Sequence, residues 1–133
     1  GSGNFLTETY ISIRRLENEI LKELQHGQIV FGEIMNPIQV SISQFYDIEI
    51  NDFAVKVAMT SLWIAESQMM KETERILNKS LDFFPLKSYT NIHEKNALTV
   101  EWGEVIKNTE LDYIMGNPPF VGATMKIKMG ALW

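Results

Sequence analysis

Four consecutive residues, Asn117-Pro118-Pro119-Phe120, combine an amide, two rigid residues and an aromatic ring. They follow an apolar run at residues 111–115, which predicts a buried strand that stops at Gly116. Neither proline can continue a strand ladder because it lacks an N–H, and Asn117 is kept out of the helical region by the proline after it. The sequence therefore predicts a stiff loop at the carboxyl end of a strand, where open α/β sheets bind ligands.

Two other stretches contain residues that could contact a ligand. Gly1 and Gly3 precede a helical pattern, and glycines there let a ligand approach the backbone beside a helix N-terminus. The alternative is that Gly1-Ser2-Gly3 is an expression scar. Glu49 ends an alternating segment and could accept hydrogen bonds from both hydroxyls of a ribose. The alternatives are that Glu49 is a solvated acid or that Asp47 takes its place.

The elements that must position these residues follow from the apolar spacing. One amphipathic helix runs from about Phe5 to Leu24, and a second starts after Asn51 or Asp52 and ends near Ile76 or Leu77. Besides the run at 111–115, strands are predicted at residues 45–50 and 91–94. The remaining expectations are a short helix over 102–106 and an irregular stretch over 28–44, in which 28–31 could form a strand.

The composition excludes several kinds of site. The 133 residues form one domain or part of one, and they include no cysteine, which excludes disulfides and thiolate chemistry. The two histidines occur in no metal-binding pattern, so we expect no metal. No apolar run approaches the roughly 20 residues that span a bilayer, and we expect a cytoplasmic protein. The net charge of −5 is not that of a nucleic-acid-binding surface.

Taken in order, the glycines, Glu49, Asn96 and the Asn117-Pro118-Pro119-Phe120 loop resemble the catalytic domain of S-adenosylmethionine-dependent DNA adenine-N6 methyltransferases. Within that group the chain is most similar to the MmeI-like, type IIG restriction–modification enzymes, on residues 45–66 and 113–122. The resemblance implies an α/β fold, part of a Rossmann-like class I methyltransferase sheet, and a partial catalytic domain over residues 1–133.

The resemblance also implies a role for each matched position. Gly1 and Gly3 correspond to the turn under the methionine part of the cofactor, Glu49 to the ribose ligand, and Asn96 to the residue near the adenine amino group. Asn117 and the Pro118 carbonyl correspond to the acceptors for the target amino group. Pro119 completes the motif, and Phe120 corresponds to the ring that stacks on a flipped base. Phe120 could instead be a buried core aromatic.

The acceptors are explained by the chemistry of an exocyclic amine. The lone pair of an adenine amino nitrogen is delocalised into the ring, which makes the nitrogen a poor nucleophile. Two acceptors that bond both of its N–H groups favour a more tetrahedral nitrogen with its lone pair directed at the methyl donor. The partner implied is duplex DNA, bound mostly by regions outside these residues.

The resemblance implies that the first strand, the later strands and a target-recognition domain are not included. We therefore expect the isolated fragment to be inactive or nearly so. The second strand could then pair with the fourth strand or with residues 28–31, or the fragment could self-associate through its exposed edge.

Two other functions remain open. Enzymes with similar Asn-Pro-Pro loops methylate guanine in RNA or glutamine side chains in proteins. A non-catalytic, oligomerising fragment is the third possibility.

Overall fold

Two short parallel strands and a long helix form a β-α-β unit. The computed structural model describes residues 3–26, 37–81 and 91–117. Strand β1 (Asp47–Glu49) pairs in parallel with strand β2 (Ile92–Glu94), and Glu49 lies opposite Glu94. Helix α2 (Asp52–Leu77) connects them in sequence, as a parallel connection requires. The predicted α/β class is confirmed at this level.

Helix α1 (Asn4–His26) packs along α2 and completes the core. Tyr10 of α1 meets Phe45 edge to face, with ring centroids 5.6 Å apart. The α2 side of the core alternates small and large residues, which allows the two helices to approach closely. The buried apolar cluster consists of Tyr10, Ile42, Val55, Ala58, Leu62, Ala65, Met69 and Ile92.

Local capping explains where α2 begins and ends. Asn51 is extended, and its side-chain oxygen accepts the N–H of Ala54 at 3.2 Å. Asn78 ends the helix in the left-handed conformation, with φ 49°. The predicted start at Asn51 or Asp52 and the predicted end near Leu77 are confirmed. α1 ends at His26, whereas the predicted stop at Gly27 lies outside the described residues.

The predicted strand at 111–115 is wrong. Residues 113–117 have no regular structure, and Tyr113 is 86% exposed. A strand needs a neighbour to bond its N–H and C=O groups. In the described part of the chain, β1 pairs with β2 and does not pair with this segment. Apolar content alone therefore did not make residues 111–115 a strand.

Three smaller expectations also changed. The alternating segment 45–50 forms a strand only at Asp47–Glu49, and Ile50 is exposed. The helix expected over 102–106 is a single 3-10 turn at Trp102–Glu104, followed by another at Asn108–Glu110. A further 3-10 turn, Ile42–Gln44, precedes β1. The possible strand at 28–31 lies outside the described residues.

The apolar spacing of α1 did not predict which face is buried. The face toward α2 is partly polar: Tyr10, Arg14, Asn18 and Leu21. Four apolar side chains lie on the other side and stay exposed. We call Phe5, Ile13, Leu16 and Ile20 the α1 stripe. An amphipathic period shows that a helix has an apolar side, but it does not identify the neighbour that covers that side.

Candidate functional site at the carboxyl ends of the strands

The fold brings Glu49 and Asn96 to one edge of the sheet. Glu49 is the last residue of β1, and Asn96 follows β2 closely. The Lys95 N–H donates to the Glu49 carbonyl at 3.0 Å, which joins the two strand ends. Parallel strands direct their carboxyl ends to the same edge, so Glu49 and Asn96 lie at the same edge of the sheet although they are far apart in sequence.

Glu49 is half-buried at the turn between β1 and α2. Its Oε1 accepts the N–H of Ile50 at 3.0 Å, which fixes the carboxylate beside the start of the helix. A carboxylate has further lone pairs beyond this bond. Glu49 is thus a hydrogen-bond acceptor with a defined position.

Asp47 lies on the same side of β1 as Glu49, since strand side chains alternate between faces. Burial raises the pKa of the Asp47 carboxyl, and repulsion from Glu49 raises it further. Glu49 is closer to the strand end and to the helix N-terminus, which makes it the better placed of the two acids for an external ligand.

Asn96 is exposed and forms a turn after β2. Its side-chain oxygen accepts the N–H of Leu98 at 3.0 Å, and its carbonyl accepts the N–H of Val100 at 2.9 Å. A carbonyl-type oxygen can accept a second hydrogen bond, and the amide nitrogen adds two donors. Asn96 is therefore oriented by its own turn while keeping polar capacity for a ligand.

Gly3 immediately precedes α1 and has a backbone conformation that other residues rarely adopt. Its φ is +71°, and its carbonyl accepts the Thr7 N–H at 2.9 Å. A Cβ on Gly3 would lie 2.5 Å from the Cβ of Ala58. Glycine is thus required here by the contact with α2 as well as by the backbone. The first N–H groups of α1 lack helical partners, and its first turn carries no acidic residue.

Of the other predicted site residues, only Asn117 lies within the described residues. It is exposed at the end of the irregular segment 113–117. Thr9 Oγ1 lies 3.8 Å from the sulfur of Met115. The chain segment just before Asn117 therefore lies beside the N-terminal half of α1. Gly1, Pro118, Pro119 and Phe120 lie outside the described residues.

Sequence reasoning missed a buried polar cluster between the two helices. Arg14 is completely buried and pairs with Glu17, and its Nη2 donates to Thr73 Oγ1 at 2.7 Å. The only sequence signal is polar residues at helical spacing inside an apolar pattern, at 14, 17 and 18. Thr73 is too distant in sequence for any local pattern to find it.

The described ranges contain no group of three or more His, Asp or Glu side chains that could hold a metal ion. The expectation of no metal stays a prediction. The same ranges contain no helix both long and apolar enough to cross a membrane.

The described residues provide a fixed carboxylate at Glu49 and an oriented amide at Asn96, and Gly3 lies at the start of α1 against Ala58. Such groups can accept hydroxyl hydrogen bonds, recognise an amino or ring nitrogen, and attract a carboxylate.

Comparisons with known proteins agree on one family. Residues 1–130 match the model described as "MmeI, DNA-methyltransferase domain". The chain is 44% identical over 131 residues to DNA methyltransferase A of Bacillus subtilis strain 168. The aligned region covers 96% of this chain and 15% of that protein. The chain thus spans a small part of that relative's length. No solved structure matches this chain. The chain belongs to the family of MmeI-type DNA-methyltransferase domains.

Proposed function

We propose that this chain is part of an enzyme that transfers a methyl group from S-adenosylmethionine to the N6 amino group of adenine in duplex DNA. The observation that carries the proposal is the family match over residues 1–130, supported by the Asn-Pro-Pro-Phe sequence at residues 117–120. DNA as substrate is supported by the family and by the name of the relative, DNA methyltransferase A. The motif supports a planar amino group as the acceptor, and the resemblance to adenine-N6 methyltransferases supports adenine as the base that carries it.

The described residues fit the proposed cofactor. The Glu49 carboxylate would accept the ribose hydroxyls, since it is fixed at a strand end beside a helix N-terminus. Asn96 would contact the adenine ring of the cofactor, and the turn at Gly1 and Gly3 would lie under its methionine part. When bound, this cofactor supplies an electrophilic methyl group.

The proposed role of the chain at the target base is positioning. The Asn117 side chain and the Pro118 carbonyl would accept the two N–H bonds of the amino group. These bonds withdraw the nitrogen from conjugation and hold its lone pair toward the donor. Phe120 would stack on the flipped base and offset part of the unstacking cost of a few kcal/mol.

The β1–α2–β2 unit supports a Rossmann-like arrangement, because its strands are parallel and joined by a helix. We propose that the two strands are neighbours in a class I methyltransferase sheet and that residues 1–133 are a partial catalytic domain. We also propose a cytoplasmic location and a restriction–modification role for the whole enzyme, as for the MmeI-like class that the sequence resembles.

Product analysis tests the function. An enzyme that contains this chain is incubated with tritiated S-adenosylmethionine and duplex DNA, RNA or protein, and each product is digested and separated. We expect label in N6-methyladenine from DNA. Label in methylguanine from RNA, or in methylglutamine from protein, would replace the proposal with one of those activities. The same assay on these 133 residues alone should show little or no transfer.

A further inference from the structure

A buried ion pair in α1 also holds the chain segment that leads into β1. Arg14 is fully buried, and its guanidinium pairs with one oxygen of Glu17. The other carboxylate oxygen of Glu17 accepts the N–H of Gln39 at 2.6 Å and the N–H of Val40 at 3.1 Å. The two oxygens of a single carboxylate thus bind different partners.

The same guanidinium reaches α2. Its second terminal nitrogen donates to Thr73 Oγ1 at 2.7 Å, and the Thr73 hydroxyl lies 2.7 Å from the Asn18 oxygen. Arg14 therefore stands where α1, α2 and the segment before β1 meet. A planar guanidinium has donors in fixed directions, so it can define the relative placement of three elements.

This junction lies between two parts of the candidate site along the chain. Gly3 is at one end of α1, and Glu17 lies farther along the same helix. From Gln39 and Val40 the chain passes through the 3-10 turn Ile42–Gln44 and reaches Glu49 at the end of β1. Because a helix is stiff, a bond from Glu17 to this segment relates the position of Glu49 to that of Gly3.

Apolar contacts do not provide this relation by themselves. Hydrophobic burial is non-directional, so it specifies the relative position of helices and strands less sharply than directional bonds do. Hydrogen bonds to a buried charge are directional, and leaving such a charge unpaired is costly. The Arg14–Glu17 pair adds a specific register to a core that would otherwise only bring the elements together.

We propose that Arg14 and Glu17 are positioning residues that hold the Glu49 carboxylate at a fixed place relative to the Gly3 turn. The fixed position of Glu49 relative to Gly3, which is the geometric part of this proposal, is inferred from the hydrogen bonds of Arg14 and Glu17 alone. Its consequence for ligand binding rests on the proposed function, in which Gly3 and Glu49 bind opposite ends of S-adenosylmethionine.

The geometric part is tested by a distance between spin labels. The chain has no cysteine, so Gln25→Cys and Ile50→Cys introduce one label on α1 and one beside Glu49. Pulsed electron resonance then gives the distance distribution in the parent chain and in Glu17→Gln. The control is Glu19→Gln, which makes the same change on an exposed residue paired with Lys22.

We expect one narrow distribution in the parent and in Glu19→Gln, and a shifted or clearly broader one in Glu17→Gln. An unchanged distribution in Glu17→Gln would overturn the proposal. If Glu17→Gln fails to fold by circular dichroism, Glu17→Asp is used. The shorter side chain keeps its charge opposite Arg14 but cannot keep both backbone N–H bonds.

Equilibrium dialysis with tritiated S-adenosylmethionine tests whether Arg14 and Glu17 affect ligand binding, under conditions where each variant is fully folded. We expect Glu17→Gln to raise the dissociation constant at least fivefold, Glu19→Gln to leave it unchanged, and Arg14→Lys to fall between. A displaced label with unchanged affinity would overturn the role in ligand binding. Failure of the parent chain to bind contradicts the proposed cofactor site in this chain, while the spin-label distance still decides the positioning claim.

Discussion

Gly3 and Ala58 are in such close contact that a Cβ on Gly3 would lie 2.5 Å from the Cβ of Ala58 and 3.0 Å from its Cα. The N-terminus of α1 therefore packs directly against α2. This contact brings the glycine turn toward the helix that starts just after Glu49. The candidate cofactor site thus depends on a helix–helix contact as well as on the strand ends.

Replacing Gly3 by Ala should destabilise the protein by about 2 kcal/mol or more, because the methyl group clashes with Ala58 and the positive φ is strained. The free energy of unfolding from urea titration measures this loss. Gly103→Ala is the matched control, since nothing lies within 4 Å of a Cβ there. It should change stability by less than about 0.5 kcal/mol. Equal stability of the two variants would contradict the close contact.

Tyr10 should make the protein less stable in alkaline solution. Burial raises the pKa of its hydroxyl from 10.0 to about 12. Between these values the unfolded chain loses the proton while the folded chain keeps it, so stability is full below pH 10 and falls as pH rises through 12. The loss is on the order of 2 kcal/mol.

The comparison of the parent with Tyr10→Phe isolates this effect from other groups that titrate at high pH. The unfolding free energy of the parent minus that of Tyr10→Phe should fall as pH rises from 9 to 12. A difference that stays constant over that range would show that the Tyr10 pKa is not raised.

Asp47→Asn should stabilise the protein at neutral pH. Burial and the neighbouring Glu49 raise the pKa of the Asp47 carboxyl above its ordinary 3.8, so ionising it costs free energy in the folded state. The advantage of the Asn variant should disappear below the unfolded pKa, where Asp47 is protonated in both states. Thermal unfolding at pH 7 and pH 3 measures this. A destabilised Asn variant at pH 7 would contradict the assignment.

The α1 stripe should mediate self-association of the 133-residue chain. Leu16 is 61% exposed and Ile20 is 51% exposed on the face away from α2. Leu16→Glu should weaken a dimer at least tenfold, which corresponds to the burial of one leucine side chain, roughly 1.5 kcal/mol or more. Sedimentation velocity over a concentration series measures the dissociation constant. Gln25→Glu adds the same charge outside the α1 stripe and should leave the dissociation constant of the dimer unchanged. If both variants change this constant equally, the α1 stripe is not the interface.

The helices could be predicted from sequence because their signals are local. Asn51 caps α2 through a bond to the backbone of the same turn, and the apolar period carries the helix to Leu77. The edge that joins Glu49 and Asn96 could also be expected, since parallel strands place their carboxyl ends together. Both predictions depend on short-range or topological rules.

What could not be predicted depends on partners distant in sequence. Residues 111–115 are as apolar as a buried strand, but strand formation needs a neighbouring ladder. Arg14 appears in sequence as a surface charge in a helix, and its burial depends on Thr73 and on the backbone of Gln39. The need for glycine at position 3 likewise comes from Ala58, in another helix.

Methyl transfer with and without the Asn117 amide tests whether this side chain accepts a hydrogen bond from the target amino group. In an enzyme that contains this chain, Asn117→Ala should lower transfer to adenine by about 100-fold or more, since one preorganised acceptor is lost. The dissociation constant for S-adenosylmethionine should stay within about twofold, because the proposed cofactor contacts lie at Gly3, Glu49 and Asn96. Asn108→Ala, an exposed asparagine outside the motif, is the control and should keep full activity. N6-methyladenine formed at a near-normal rate by Asn117→Ala would contradict the proposed role of Asn117.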